Sequence, residues 1–212
     1  MKIALINGSP KSHGSASGCI LHDLKAFLDN ANNMICEYSF RNPQLSSEEI
    51  ENLTECNALV FAFPLYVDGI PSHLLNCLIQ LETLFSAIKD KNILVYSMVN
   101  CGFYEGNQNE LAIEIMKNWC IKAGLKWGQG IAIGAGGMLP MLKNVPIGHG
   151  PMKNLGRALK QLANNILKST PDDDIYITAN FPRILYKLAA EMGWRQAIKA
   201  NGLKREDLFL KK

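Results

Sequence analysis

The 212-residue sequence has no apolar run long enough to cross a membrane. A membrane-spanning helix needs about 18 consecutive apolar residues, and the apolar run that starts at Ala58 is interrupted by Pro64. The N-terminal residues lead directly into a strand-like segment, so we expect no export signal. These absences predict a cytoplasmic protein without membrane contact.

Closely spaced cysteines are also missing. The six cysteines lie at least 17 residues apart, at Cys19, Cys36, Cys56, Cys77, Cys101 and Cys120. Zinc fingers and iron–sulfur clusters take their ligands from much shorter spacings, such as Cys-x-x-Cys. We therefore expect reduced thiols and no metal site.

Charge is nearly balanced overall, with a formal net charge of +3, but it is uneven along the chain. Residues 183–212 carry eight Lys/Arg against three Asp/Glu, which leaves 14 basic and 16 acidic residues before them. Basic residues recur every four positions along a predicted last helix, so we expect a solvated stripe with an internal Glu191–Arg195 pair, or a helix docked on a second copy. No recognition helix or stacking residues accompany the stripe, and we expect no nucleic-acid partner.

Five short segments rich in β-branched and aromatic residues alternate with helical patterns. They are residues 2–6, 34–40, 58–63, 93–98 and 130–133. This alternation predicts βαβ units and an α/β architecture, a three-layer sandwich around a five-stranded parallel sheet with an additional C-terminal helix. The segment 34–40 alternates apolar and polar residues, which predicts an edge strand.

We expect residues 1–170 to form one domain and residues 171–212 to form a helical extension. The extension would pack on the same domain or on a dimer mate. The Gly/Pro-rich stretch 134–151 is a long loop, which indicates a functional loop or a lid on a neighbouring chain.

The residues after the first strand have the composition of a phosphate-binding loop. Residues 7–18 read NGSPKSHGSASG, and the chain then enters a helix. Small residues let backbone N–H groups turn toward one point, and the hydroxyls of Ser9, Ser15 and Ser17 add hydrogen-bond donors. The helix N-terminus adds a partial positive charge. The alternative is a Ser/Gly-rich turn without a ligand.

Two common nucleotide motifs do not fit this loop. A Walker loop requires Gly-x4-Gly-Lys-Ser/Thr, but Gly8 and Gly14 have another spacing and Ser15 follows Gly14. The dinucleotide fingerprint Gly-x-Gly-x-x-Gly fails because Pro10 stands at its second glycine. A nucleoside triphosphatase and a tightly held NAD are therefore not expected.

The loops after the third and fourth strands present aromatic and small residues. The third strand leads into Pro64-Leu65-Tyr66-Val67-Asp68-Gly69-Ile70-Pro71, and Tyr66 can stack on a planar ring. The fourth leads into Asn100-Cys101-Gly102-Phe103, whose backbone amides suit the polar edge of a flat heterocycle. In parallel sheets ligands bind at the carboxyl ends of the strands, so we expect the three loops to share one site.

These loops resemble those of the flavodoxin-like NADPH-dependent FMN reductases and NAD(P)H:quinone oxidoreductases. The matching motifs are Gly8-Ser9-Pro10-Lys11 with Ser15 and Ser17, Pro64-x-Tyr66-x-x-Gly69-x-Pro71, and Asn100-Cys101-Gly102. The resemblance covers about residues 1–135, and Ala16 stands where many members carry Asn.

The resemblance implies an FMN site, NADPH or NADH as electron donor, and a homodimer in which the second subunit completes the flavin face. The cofactor-binding residues that it implies are Ser9, Lys11, Ser15, Ala16 and Ser17 around the phosphate, and Pro64, Leu65, Tyr66, Val67, Asn100, Cys101, Gly102 and Phe103 along the isoalloxazine ring. The electron acceptor would be a small molecule such as a quinone, a nitro or azo compound, or a free flavin.

An FMN enzyme needs no catalytic side chain, because the flavin carries the chemistry. We expect backbone N–H groups of residues 100–103 to stabilise the reduced ring. Two other functions stay open: an electron-transfer flavodoxin reduced by a partner, and an α/β module that binds a ligand other than flavin. We assign no redox role to Cys101, and we interpret His13 and His149 as solvated loop residues and residues 134–137 as a flexible turn.

Overall fold

The computed structural model describes residues 1–29, 33–88, 91–204 and 206–207. Its sheet has six parallel strands: β1 (Lys2–Asn7), β2 (Met34–Ser39), β3 (Ala58–Pro64), β4 (Leu94–Asn100), β5 (Lys126–Ile133) and β6 (Ile175–Ile177). The strand order is β2-β1-β3-β4-β5-β6. The predicted parallel α/β architecture is confirmed, and β2 lies at an edge as its alternating pattern predicts.

The prediction of five strands was short by one, because the described chain adds β6 next to β5. Ile175 pairs with Ile131 and Ile177 with Ile133. The carboxylate of Asp174 fixes this strand, since it accepts hydrogen bonds from the Gly130 amide at 2.7 Å and from the indole of Trp127 at 3.1 Å. A three-residue strand shows no hydrophobic period, so the sequence pattern did not reveal it.

The helices are α1 (Ala16–Leu28), α2 (Ser47–Thr54), α3 (Ser72–Ala87), α4 (Glu110–Ala123), α5 (Lys153–Lys168) and α6 (Arg183–Ala200), and short 3₁₀ helices span Gly106–Asn109, Gly136–Met141 and Gly150–Met152. The local sequence explains where several helices begin or end. Ser46 and Glu49 form a capping box at the start of α2. Gly124 ends α4 with a φ of 64°, a conformation that glycine adopts without strain.

The core lies on both faces of the sheet. Alternate residues of β1 point in opposite directions, so Ala4 and Ile6 join the layer beneath α3 and α4 while Ile3 and Leu5 join the layer beneath α1 and α5. Because both faces are covered, the central strands are almost continuously apolar. Their carboxyl ends remain as the edge where polar loops meet.

The chain divides into two compact units, residues 1–179 and 180–212. The second unit contains α6, in which no side chain is buried and Glu191 lies 3.5 Å from Arg195, as predicted. Residues 205 and 208–212 of the predicted extension lie outside the described residues. Within the described ranges, every helix is too short or too polar to traverse a bilayer.

Candidate functional site

A cavity of about 210 Å³ lies at the carboxyl ends of β1, β3 and β4. Of the sequence-predicted site residues, those that line it are Ser9, Lys11, Ser15, Ala16, Ser17, Pro64, Leu65, Tyr66, Asn100, Cys101 and Gly102. The structure therefore brings the three predicted loops together. They meet next to the point where the strand order reverses between β1 and β3, the usual ligand position in such sheets.

The loop between β1 and α1 is shaped by its own polar side chains. Oδ1 of Asn7 accepts a hydrogen bond from the Ser9 amide at 3.0 Å, and Oγ of Ser9 accepts one from the Lys11 amide at 3.3 Å. Ser15 caps α1, because its Oγ accepts from the Gly18 amide at 3.0 Å. These hydrogen bonds fix the conformation of the loop.

Three serine hydroxyls are buried at this end of the cavity. Ser9, Ser15 and Ser17 are 3%, 6% and 1% exposed. Each hydroxyl accepts a hydrogen bond through its oxygen, Ser17 from Nδ2 of Asn100 at 2.9 Å. A hydroxyl that accepts keeps its own O–H proton as a donor. The serines therefore offer donors to an anion at the start of α1, where the helix dipole also favours negative charge.

Asn100 joins the three elements around the cavity. Its Nδ2 donates to Oγ of Ser17 at 2.9 Å and to the carbonyl of Phe63 at 3.0 Å, and its backbone carbonyl accepts from the Leu65 amide at 2.8 Å. The side chain is 4% exposed. We predicted Asn100 only as a ring-lining residue. The structure adds a positioning role that a linear sequence does not reveal, because its partners lie 83 and 37 residues away.

The loop after β3 makes a tight turn over the cavity. Tyr66 and Gly69 exchange two backbone hydrogen bonds of 3.1 and 3.0 Å, and Val67 and Asp68 between them have φ values of 48° and 57°. Tyr66 is half-exposed and lines the cavity. The turn points Val67 into solvent, so this predicted residue does not line the cavity.

Val67 stores backbone strain, since a β-branched residue rarely adopts positive φ. Val67→Asn is expected to raise the free energy of unfolding by about 1 kcal/mol, because asparagine tolerates this region. Urea unfolding monitored by circular dichroism measures the change. Val67→Thr keeps the β-branch and should leave stability within about 0.5 kcal/mol of the parent. A stabilisation of equal size in both variants would contradict strain as the cause.

Hydrogen bonds to neighbouring backbone groups hold the loop after β4 in place. Asn109 is fully buried, and its Nδ2 lies 3.0 Å from the carbonyl of Gly106 and 3.2 Å from that of Ile133. The Cys101 amide donates to the Ile133 carbonyl at 3.0 Å, so it is not available to stabilise a reduced ring. Phe103 is half-exposed and does not line the cavity.

Cys101 is 4% exposed, and burial raises the pKa of its thiol. A thiol with a raised pKa is a poor nucleophile at neutral pH. His13 and His149 are exposed, as predicted for solvated loop residues.

The segment after β5 contributes lining residues that we did not predict as site residues. Gly136, Gly137 and Pro140 line the cavity, and residues 136–141 form a 3₁₀ helix rather than the expected flexible turn. The Gly136 amide donates to the Cys101 carbonyl at 2.7 Å, which fixes the segment beside the β4 loop. Its place at the carboxyl end of a strand was the signal that could have assigned it to the site.

The sequence matches neither a known family model nor a curated protein. Solved structures show similarity in fold. An NADH:FMN oxidoreductase in its apo form has a TM-score of 0.61 at 13% identity, with 81% of this chain and 90% of that chain covered. An NAD(P)H:quinone oxidoreductase from Methanothermobacter marburgensis has a TM-score of 0.57 at 15% identity, with 76% and 96% covered.

A short-chain flavodoxin associated with a bacterial microcompartment is similar to the same degree. Its TM-score is 0.55 at 14% identity, with 80% of this chain and 99% of that chain covered. The similar proteins thus include enzymes and a flavodoxin, and what they share with this chain is the fold. The chain has the flavodoxin-like fold.

Proposed function

We propose that the chain binds FMN in the cavity at the ends of β1, β3 and β4 and acts as an NAD(P)H-dependent oxidoreductase. The observation that carries the proposal is the convergence of three loops around buried serine hydroxyls at the start of α1. Similarity in fold to an NADH:FMN oxidoreductase and a quinone oxidoreductase supports it. The acceptor would be a small molecule such as a quinone, a nitro or azo compound, or a free flavin.

The residues of the cavity fit a flavin mononucleotide. The donors of the β1–α1 loop suit its phosphate, and Lys11 is the one charged side chain among the lining residues that the structure describes. Pro64, Leu65 and Tyr66 provide apolar and aromatic lining for the ring, and Gly136 and Gly137 line the cavity without side-chain bulk. When bound, FMN would supply the redox chemistry between a nicotinamide and the acceptor.

The protein's own part in this function is to position and shield. Asn100 fixes the distance between the phosphate end and the ring end, because it bonds to both α1 and β3. Tyr66 is exposed enough to cover a ring from the solvent side. We assign no proton transfer to a side chain.

Titration with FMN and with riboflavin tests the phosphate site. We expect FMN to bind about a hundredfold more tightly than riboflavin, which lacks the phosphate, because charge-assisted hydrogen bonds hold the anion. Lys11→Ala should reduce this ratio about tenfold at low ionic strength and less at high salt. Quenching of flavin fluorescence measures both affinities.

Lys122→Ala is the matched control, since Lys122 is an exposed lysine of α4 that does not line the cavity. It should leave the ratio unchanged. Failure of the parent protein to bind FMN at micromolar concentration would refute the proposed function. Equal affinity for FMN and riboflavin would contradict the proposed phosphate site.

An electron-transfer flavodoxin is the second candidate, supported by the similarity to a short-chain flavodoxin. It shares the cofactor but not the reaction with a nicotinamide. Reduction by NADH or NADPH therefore separates the two functions, and FMN binding alone does not.

We also propose a homodimer, supported by exposed apolar side chains on two neighbouring helices. Leu75 and Ile79 of α3 and Leu111 and Ile115 of α4 are all exposed. A Cβ built on Gly69 would lie 4.0 Å from Cδ1 of Ile115, so this apolar surface adjoins the turn that carries Tyr66. Such a patch beside a ligand cavity is typical of an interface between protein copies.

Leu111→Glu tests the dimer. In a symmetric dimer the change occurs twice, so the dissociation constant should rise at least about a hundredfold and the protein should sediment as a monomer at micromolar concentration. Ile121→Glu is the control, because Ile121 is an exposed residue on a different face of α4. Identical sedimentation of the parent and the Leu111 variant would contradict this interface.

We propose a cytoplasmic location because of the state of the thiols. All six cysteines are unpaired, as is usual for proteins of a reducing compartment. Localisation of a tagged full-length chain by cell fractionation tests it.

A further inference from the structure

A second and larger cavity, of about 440 Å³, lies on the other flank of the β1–α1 loop. It is formed between α1 and the segment 139–152, and among the described residues only Ser15 lines both cavities. Its volume is within the range of about 300–1,000 Å³ that is usual for small-molecule sites. The proposed flavin function makes no use of it.

One wall of this second cavity is polar. It is built from the loop residue His13 and from Cys19, His22 and Asp23 of α1, and Lys143 faces it from the opposite segment. Asp23 is half-buried, and burial raises the pKa of its carboxyl group. Among the residues that the structure describes, none donates a hydrogen bond to that carboxylate. A partly desolvated carboxylate without a donor has hydrogen-bonding capacity left for a ligand.

The other wall is apolar. Leu139, Leu142, Val145 and Met152 line it, and Leu139 and Met152 are buried. Branched aliphatic and methionine side chains form a surface on which a flat ring can lie. The cavity therefore offers an apolar wall, a carboxylate and a cation within one space.

These three features match the three parts of a mononucleotide. A base can contact the aliphatic wall, a carboxylate such as Asp23 can accept hydrogen bonds from ribose hydroxyls, and Lys143 with His13 can attract a phosphate. We propose that this second cavity binds an adenylate group, the part that AMP, FAD and the nicotinamide dinucleotides have in common. The site goes beyond the proposed flavin function and does not depend on it.

Protection of Cys19 from alkylation tests the site in the full-length protein. Cys19 lines the cavity and is partly exposed. Saturating AMP is expected to slow its reaction with N-ethylmaleimide at least about fivefold, because the ligand covers the thiol. Cys36 is also partly exposed but does not line the cavity, so its rate is the internal control. Peptide mass spectrometry follows both rates in one sample.

Separate protection experiments with different nucleotides identify the source of the adenylate group. Protection by FAD, with FAD bound more tightly than FMN, would mean that the group reaches the cavity from a flavin on the shared loop. Protection by NADP⁺ or NAD⁺ in the FMN-loaded protein would assign it to the electron donor. Protection by AMP alone would assign a free nucleotide. Each of these results supports the site.

Two variants show whether the protection arises in this cavity. Val145→Trp should fill it and abolish protection, and Lys143→Ala should weaken AMP binding about tenfold. Lys160→Ala removes an exposed lysine of α5 that lines neither cavity and should change nothing. FMN affinity should be the same in all three variants.

The proposal is overturned if AMP, FAD and the nicotinamide dinucleotides all leave the Cys19 rate unchanged, or if Val145→Trp is protected like the parent. These results differ from a failure of the proposed function. Loss of FMN binding with intact Cys19 protection would refute the flavin site and leave the adenylate site in place.

Discussion

Asn100→Ala is expected to lower the free energy of unfolding by about 3 kcal/mol and to weaken FMN binding at least about tenfold. The stability loss has two causes. The variant removes the donor to Ser17 and to the Phe63 carbonyl, and it leaves a small void at a position that is 4% exposed. Binding should weaken because Asn100 no longer holds the start of α1 against the end of β3.

Urea unfolding and a flavin titration measure the two effects of this substitution. Asn118→Ala is the control, since Asn118 is an exposed asparagine of α4, and it should change stability by no more than about 0.5 kcal/mol. Asn100→Asp keeps the size of the side chain but replaces the donor with an acceptor, so it should be as damaging as alanine. An aspartate variant as stable as the parent would show that the donated hydrogen bonds do not matter.

Gly134→Ala is expected to destabilise the protein by about 3 kcal/mol or more and to displace the loop after β4. A Cβ at this position would lie 2.1 Å from the carbonyl oxygen of Tyr104 and 2.8 Å from backbone atoms of Glu105 and Gly106. These neighbours are backbone atoms, so the clash cannot be relieved by a side-chain rotation. The loop would have to move away from β5.

Gly137→Ala provides a matched control three residues further along. A Cβ there meets no atom within 4 Å, although Gly137 lines the cavity at the ends of β1, β3 and β4. It should change the free energy of unfolding by less than about 1 kcal/mol. Thermal unfolding of both variants gives the comparison. Similar melting temperatures for the two would contradict the close approach of the loop to Gly134.

Most of what the sequence predicted came from two signals: the periodicity of the hydrophobic residues and the position of residues at the ends of strands. The central strands are covered on both faces, so their apolar runs mark them clearly, and topology then places the residues after β1, β3 and β4 at one edge. The short strand β6 was missed because the hydrogen bonds of Asp174 specify it, and no periodic pattern does. Local pattern identifies long elements better than short ones.

Eleven of the thirteen predicted residues line the cavity, but the internal bonds of the site were not predictable. The positioning role of Asn100 depends on partners far away in sequence, and the exposure of Val67 depends on two consecutive positive φ values. Gly136, Gly137 and Pro140 reach the cavity through a 3₁₀ helix that the glycine run did not suggest. Each of these features is tertiary in origin.

Reduction of the FMN-loaded protein by NADH and by NADPH, without oxygen, tests the central claim most directly. The account predicts that the visible absorption of the bound flavin bleaches much faster than that of free FMN with at least one of the two donors. Bound flavin that bleaches no faster than free FMN would contradict the enzyme and favour an electron carrier. No bound flavin at all would contradict the site.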